Sequence, residues 1–412
     1  MQPSTQNLHT TSKKERHFLS LPGIVAASMF ACGPFMFATI GGRGLFLYLA
    51  VLFFLSIFVQ AFFIDHTRSL NLKPSSELKR ALSPFLACFF WQLFSFLWSA
   101  ALSASAIYAY LKVMMFFLFL SIPRYTGVDK KLMIVAQIPI VCMATFLMII
   151  SGDTISEVGS ERLTFSFFGI PQDPNYLAYF FIAPMLFLFA TVISKKHRLL
   201  WRLLCLALLL FLSFGVLCTG SRGALIGIGI MLLIYFFRYK KMAPWKCVIA
   251  LLLLLLLLYL FLTFGLRFLP ESVAERFTIG NIIESGGSNR TNIWEKYCAT
   301  IFSSPLILLF GAGNSTEVFN MRISAHNYII GSWYEYGIVG VALLVILYRS
   351  SFKKAVEKKN SFSFCILVGA LIMALFLSVS RMLPFWLCIT LANILNLAEK
   401  PTSVAYLSPK EQ

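Results

Sequence analysis

The chain has 412 residues, of which 58% are hydrophobic and only 13% are charged, and its mean hydropathy is +0.79. Long apolar runs at this frequency exclude a soluble globular protein. The net charge of +18 would suit a nucleic-acid partner, but the lysines and arginines are spread over short loops between apolar runs. No nucleic acid is therefore expected as a partner.

Apolar segments follow one another along the whole chain, and several are long enough to cross a bilayer as helices. The predicted spans lie near 18–40, 44–64, 81–101, 104–122, 132–150, 174–193, 199–218, 222–237, 246–266, 327–348, 361–380 and 382–398. The sequence thus predicts an all-α polytopic membrane protein with about twelve transmembrane helices. We treat residues 1–412 as a single integral membrane domain. The nine cysteines show no spacing typical of a metal site.

Positive charges alternate between successive loops, and this alternation orients the helices. The two tails and every second loop hold 25 of the 35 lysines and arginines, whereas the intervening loops hold 9. Cytoplasmic loops are enriched in these residues, so both termini are expected in the cytoplasm. The loops 151–173 and 267–326 then lie on the outer side.

The outer charges are almost all arginine. The cytoplasmic set contains 17 lysines and 8 arginines, whereas the outer set contains 8 arginines and a single lysine. Arginine binds phosphate groups through two parallel hydrogen bonds, so this bias predicts a phosphate or diphosphate ligand. Alternatively, arginines near helix ends reach lipid phosphates, and this applies best to Arg43 and Arg381.

Arg222 and its neighbour Ser221 stand between two apolar runs with almost no loop, in the sequence Thr-Gly-Ser-Arg-Gly. The flanking glycines let the backbone approach a ligand closely, and the start of the following helix favours an anion. Arg222 is therefore a candidate anion-binding residue. The alternative is an arginine that only caps a tight helical hairpin.

Arg290 is the second candidate, in the loop 267–326. Asn289 before it fits the cap of a short helix, and Trp294 is expected to lie against the membrane surface. The alternative is a solvated loop arginine. In the loop 151–173, Asp173 and Asn175 stand at the entrance to the sixth span and fit a helix cap with proline in the first turn. A cap does not exclude a place in a site.

His326 is the only histidine of the five that the charge pattern places on the outer side. Ionisable groups next to a membrane helix usually serve a function, and imidazole, with an ordinary pKa near ~6.5, suits a general base. The alternative is a hydrogen-bonded histidine at a helix end. A helix turns about 2.5 times and rises about 13.5 Å over nine residues. We therefore expect Glu335 to point away from His326 and not to pair with it.

The motifs together resemble the O-antigen ligase/polymerase superfamily. They are Thr-Gly-Ser-Arg222-Gly, an outer-loop arginine at 290, and His326-Asn327 followed by nine residues and Gly337-x-x-Gly340. The resemblance is strong over about 205–345, a core region that includes the large loop 267–326. The segment Asp173-Pro-Asn-Tyr-Leu-Ala is also similar to one found among polysaccharide polymerases of this group.

The resemblance implies a GT-C-type glycosyltransferase of O-antigen and lipopolysaccharide biosynthesis, with both termini cytoplasmic and its active site on the periplasmic face of a bacterial inner membrane. It implies no metal or other cofactor. The implied partners are an undecaprenyl-diphosphate-linked oligosaccharide donor, a glycan or lipid A–core acceptor, membrane lipids and a chain-length regulator. The implied roles are a base for His326, diphosphate binding for Arg222 and Arg290, and support from Ser221, Asp173, Asn175, Asn327, Glu335, Gly337 and Gly340.

Several functions remain open at this point. The Asp173-Pro174-Asn175 segment favours a repeat-unit polymerase, and an O-antigen ligase that joins glycan to lipid A–core is the alternative. Relatives instead glycosylate protein hydroxyls. A transporter of lipid-linked oligosaccharide is the main non-enzyme alternative. It would be expected to show an internal repeat, and its charges would reach both faces, whereas the candidate residues here gather on one side.

Overall fold

The structure is a computed structural model that describes residues 19–35, 38–40, 43–64, 76–99, 125–157, 160–167, 170–240, 271–278, 290–313, 325–377 and 383–397, with isolated positions between them. Within these ranges six helices are long and apolar enough to cross a membrane, and three shorter apolar helices accompany them. The prediction of an all-α polytopic membrane protein is confirmed. The number of spans stays a prediction, because 104–122 and 246–266 lie largely outside the described residues.

The helices follow the predicted order of spans, with several short helices in the outer loops. They are α1 (Leu21–Ala31), α2 (Leu45–Val59), α3 (Ser76–Phe94), α4 (Gly127–Val135), α5 (Gln137–Ser151), α6 (Pro174–Leu177), α7 (Ile182–Ile193), α8 (Leu199–Cys218), α9 (Arg222–Lys240), α10 (Glu271–Glu275), α11 (Arg290–Ser303), α12 (Pro305–Phe310), α13 (Tyr328–Glu357), α14 (Ser361–Ala374) and α15 (Leu383–Asn396). The first is much shorter than the predicted span 18–40, because Gly33 and Pro34 follow it in a 3₁₀ turn and proline disfavours the continuation of a helix.

Asp129 joins the starts of α1 and α4. Its carboxylate accepts hydrogen bonds from the backbone N–H and the hydroxyl of Ser20, at 3.0 and 2.7 Å, and from the backbone N–H of Thr126, at 2.7 Å. The residue is fully buried. A buried carboxylate with several donors satisfies the N–H groups that a helix start leaves open, so one side chain fixes two helices.

A cluster of buried aromatic rings lies at the centre of the bundle. The ring of Phe385, on α15, has its centroid 4.8 Å from that of Tyr328, 5.9 Å from that of Tyr348 and 6.3 Å from that of Tyr179. Aromatic pairs at these separations stabilise a core beyond their buried area alone. The cluster brings α13, α15 and the segment before α7 together, and it sets the depth of the residues next to it.

The course predicted for the tenth span, a continuous helix over 327–348, is wrong. The rings of Tyr328 and Tyr348 lie only 6.3 Å apart, whereas twenty residues of straight helix would separate them by about 30 Å. The backbone of α13 is non-helical at Gly337, with φ 66° and ψ −177°. The chain therefore folds back at Gly337, and residues 328–336 form a short re-entrant helix beside 338–357.

Close backbone contacts hold this reversal. A Cβ at Gly337 would overlap the carbonyl oxygen of Leu309, at the end of α12. The Ala312 N–H donates to the Tyr334 carbonyl at 2.7 Å, and the Trp91 indole N–H donates to the Tyr336 carbonyl at 2.8 Å. These bonds satisfy carbonyls that the interrupted helix cannot use. Gly340 adds room, since a Cβ there would meet the Tyr336 side chain.

Gly337→Ala is expected to lower stability by more than the roughly 1–2 kcal/mol that a left-handed backbone costs an L-residue, because the added methyl group also overlaps Leu309. The thermal unfolding midpoint of the purified protein in detergent measures the effect. Gly229→Ala is the matched control, since Gly229 is a helical glycine in α9 with open space where a Cβ would stand. The control is expected to be neutral or slightly stabilising. Equal midpoints for the two variants would contradict the role given to Gly337.

The outer loop 151–173 is built from two β-hairpins that the sequence analysis did not predict. Strand β3 (Thr154–Glu157) pairs with β4 (Ser160–Leu163), and β5 (Ser166–Phe167) pairs with β6 (Ile170–Pro171). A third hairpin lies earlier in the chain, directly before α2. It is formed by β1 (Thr39–Ile40) and β2 (Arg43–Gly44). Strand β4 packs against α10 of the second outer loop, which brings the two long loops together.

Candidate functional site

Three arginines from three segments that the charge pattern predicts to lie on the outer side meet at the turn before α9. Arg162 lies on β4, Arg276 directly follows α10, and Arg222 is the first residue of α9. A Cβ at Gly220 would stand 3.0 Å from Cδ of Arg276 and 3.5 Å from Cγ of Arg162. Gly220 has a left-handed backbone with φ 60°, so glycine is the residue that fits both the turn and the close approach. We call Arg162, Arg222 and Arg276 the arginine cluster.

Reciprocal hydrogen bonds interlock two members of this cluster. Nε and Nη2 of Arg222 donate to the carbonyl of Arg276 at 3.0 and 2.6 Å, and Nε of Arg276 donates to the carbonyl of Gly220 at 3.2 Å. Arg222 therefore binds the loop 267–326 through Arg276. The alternative that it only caps its own helical hairpin does not account for these bonds.

The arginine cluster concentrates positive charge in a place with little water. Arg162 and Arg276 are only 2% and 4% exposed, and Arg162 lies near enough to Arg222 for their like charges to interact. Repulsion between like charges is stronger where the surroundings are less polarisable than water. Such a concentration of fixed cations attracts anions.

Arg290, the first residue of α11, lies beside the arginine cluster. Its Cζ stands 6.0 Å from the ring centroid of Phe376, and that ring's side chain packs on Gly223, where a Cβ would stand 2.8 Å from Cβ of Phe376. Gly223 directly follows Arg222. One aromatic side chain thus lies near Arg290 and against the residue that follows Arg222.

His326 lies between α11 and the re-entrant helix of α13. Its backbone is left-handed, with φ 47°. On one side of it, the Asn327 side chain accepts hydrogen bonds from the N–H groups of Ile329 and Ile330, at 2.9 and 3.1 Å, and so caps the re-entrant helix. On the other side, the carbonyl of Ala325 accepts a bond from the Trp294 indole N–H at 2.8 Å.

The expected place of Trp294 against the membrane surface stays a prediction, and its indole N–H has this partner within the protein. Trp294 stands one turn after Arg290 in α11. The same short helix therefore carries an arginine of the site and holds the residue next to His326.

The fold-back of α13 also sets the depth of His326. Because Tyr328 belongs to the central aromatic cluster, His326 lies closer to the centre of the bundle than Gly337 does. The segment Asp173–Tyr179 reaches the same cluster through the ring of Tyr179. His326 is therefore close to the central aromatic cluster, two residues before Tyr328.

The supporting residues have clear structural contacts. The Asp173 side chain accepts a hydrogen bond from the Asn175 N–H at 2.8 Å and caps α6, as the sequence suggested, and Asn175 is buried. The carbonyl of Ser221 accepts a bond from the Leu225 N–H in the first turn of α9. Glu335 is buried, and its charge lies near enough to Tyr328 to interact with it. These contacts leave their roles in catalysis as predictions.

The sequence analysis missed Arg162, Arg276 and Trp294 as members of the site. The two arginines belong to the outer set in which arginine replaces lysine, so that bias was the available signal. Nothing in the spacing indicated which members of the set would meet. The side chain of Arg43 and the whole of Arg381 lie outside the described residues.

Comparison with known proteins agrees with the motifs. Residues 206–345, about a third of the chain, match the family model described as O-Antigen ligase. No curated protein matches the chain. The matched segment contains Arg222, Arg290, His326, Gly337 and Gly340, which are the residues whose spacing suggested the family. Residues 206–345 are thus similar to the O-antigen ligase family, which supports the resemblance to the O-antigen ligase/polymerase superfamily.

Proposed function

We propose that the protein is a glycosyltransferase that moves a glycan from undecaprenyl diphosphate to the hydroxyl of an acceptor sugar on the periplasmic face of the inner membrane. The observation that supports the proposal is the position of α11. Its Arg290 lies near Phe376, which packs on Gly223 next to Arg222, and its Trp294 bonds to the residue before His326. Nucleotide sugars are confined to the cytoplasm, so a transferase outside it needs a donor activated on a lipid.

The arginines act on the leaving group. When the bond between the anomeric carbon and the diphosphate oxygen breaks, the electron pair stays on that oxygen and negative charge develops there. Fixed cations aimed at this position stabilise the transition state. A diphosphate would also relieve the repulsion between Arg162 and Arg222, so binding of the donor is favoured by the cluster as it stands.

His326 acts on the acceptor. Its imidazole takes the proton of the acceptor hydroxyl, whose oxygen forms the new bond to the anomeric carbon. The products are an elongated glycan, undecaprenyl diphosphate and a protonated imidazole, which releases its proton to solvent. The held position of His326, next to the capped start of the re-entrant helix, suits a base that must be oriented before the reaction.

Polymerase and ligase share this chemistry and differ in the acceptor. The segment Asp173-Pro174-Asn175 favours a repeat-unit polymerase, whereas the description of the matching family favours a ligase. Deletion of the gene separates them. Loss of a polymerase leaves lipid A carrying one repeat unit, whereas loss of a ligase leaves none attached and lets polymer remain on the carrier.

Reconstitution tests the proposal against transport. The purified protein in liposomes is supplied with undecaprenyl-diphosphate-linked repeat units and an acceptor, either a second lipid-linked unit or lipid A–core. We expect a covalently enlarged glycan and release of undecaprenyl diphosphate, detected by mass spectrometry. Relocation of the lipid-linked unit between leaflets without any new glycosidic bond would contradict the proposal and favour a transporter.

A further inference from the structure

The helix α11 connects the two halves of the proposed chemistry. Arg290 begins this helix, and Trp294 follows four residues later on the same face. The Trp294 indole N–H donates to the carbonyl of Ala325, the residue before His326, at 2.8 Å. One helical turn, with a rise of about 6 Å, therefore lies between a cation of the proposed diphosphate site and the attachment point of the proposed base.

The backbone of His326 needs such an attachment. Its φ of 47° is a left-handed conformation that is unfavourable for a residue other than glycine. Conformations of this kind persist where the surrounding structure holds them in place. Ala325 is 1% exposed and packs in a small core with Tyr297 and Ile301 of α11 and Tyr334 of the re-entrant helix.

We propose that Trp294 is a positioning residue that fixes the imidazole of His326 relative to the diphosphate-binding arginines. The inference rests on the function proposed above. Trp294 touches neither reacting group, and it acts through the Ala325 carbonyl. Without its N–H, the carbonyl loses its bond to α11, and the position of His326 relative to Arg290 is less firmly fixed. The donor would still bind to the arginines, but the acceptor hydroxyl would meet its base less often.

Trp294→Phe tests this, because it keeps an aromatic ring, although a smaller one, and removes the N–H donor. In the reconstituted transfer assay we expect kcat to fall about 10- to 100-fold, the range that a displacement of about 1 Å can cause. The KM for the lipid-linked donor should stay within about twofold of the wild type, because binding energy at the arginines is unchanged. Trp294→His, which retains a ring N–H, is expected to recover part of the lost rate.

Trp333→Phe is the matched control. The Trp333 indole N–H donates to the carbonyl of Leu308 at 3.2 Å, so this variant loses the same kind of bond between neighbouring helices of the same outer region. Its bond does not involve a residue adjacent to His326. We expect its kcat to remain near that of the wild type, and unfolding midpoints in detergent show whether the two variants are equally folded.

The outcomes separate this inference from the proposed function. A wild-type kcat in Trp294→Phe, an equal loss in Trp333→Phe, or a rise in KM at unchanged kcat would each overturn the positioning role. If Trp294→Phe does not fold, Trp294→His decides: a rate near wild type supports the role of the N–H, and a rate below about 1% overturns it. An inactive wild-type protein would instead overturn the proposed function.

Discussion

His326→Ala is expected to reduce glycan transfer by about 10²- to 10⁴-fold, the contribution typical of a positioned general base. The expectation follows from the place of His326 beside the helix that carries Arg290, held from both sides by Trp294 and the Asn327 cap. The assay is the formation of new glycosidic bonds by membranes or proteoliposomes that contain equal amounts of each variant.

Two further variants make the result for His326 specific. His326→Asn removes the imidazole but suits the left-handed backbone, which asparagine adopts more readily than most residues. It should be as inactive as the alanine variant, and its unfolding midpoint should be no lower than that of the wild type. His197→Ala, in the loop between α7 and α8, is the matched control and should leave transfer unchanged. Transfer at the normal rate in His326→Ala would remove His326 as the base.

Arg222→Lys is expected to reduce kcat by about 10²- to 10³-fold, the effect of losing one well-placed donor at a developing negative charge. Lysine keeps the positive charge but has no planar fork, so it cannot bind a diphosphate through two parallel bonds. It also cannot reproduce both hydrogen bonds from Arg222 to the carbonyl of Arg276. The interlocked turn at Gly220 would therefore loosen as well.

The same substitution at the other end of α9 provides the control. Arg238 donates through Nε to the hydroxyl of Ser361 at 3.3 Å, and its Cζ lies 4.5 Å from the ring centroid of Phe364. Arg238→Lys should transfer glycan normally. Inhibition by inorganic pyrophosphate gives a second measurement, which should weaken in Arg222→Lys and stay unchanged in Arg238→Lys. Retained transfer in Arg222→Lys would rule out the clamp on the leaving group.

Hydropathy predicted most of the helices, because a span needs about twenty apolar residues and little else. It could not predict the reversal in α13, since the residues on both sides of Gly337 are apolar and the change of direction depends on close contacts with Leu309 and Trp91. The glycine pair in Gly337-x-x-Gly340 was the available signal. From the sequence alone, this glycine pair indicated the family but not the reversal of the chain.

The candidate site was predicted in part for a similar reason. Arg222, Arg290 and His326 stood out because each is an unusual residue in its surroundings. Arg162 and Arg276 joined them only through the pairing of β4 with α10, a contact between residues more than a hundred positions apart in the chain. Such long-range contacts leave little trace in one sequence.

The reversal at Gly337 has a consequence for competition between water and sugar. A sugar bound to diphosphate is activated toward any hydroxyl, and water is by far the most abundant one outside the cytoplasm. A base placed inside the bundle, above the rings of Tyr328 and Phe385, meets bulk water less readily than a base on the outer surface. For the proposed function, the fold-back thus favours an acceptor sugar over water at His326 and limits hydrolysis, which would waste the donor.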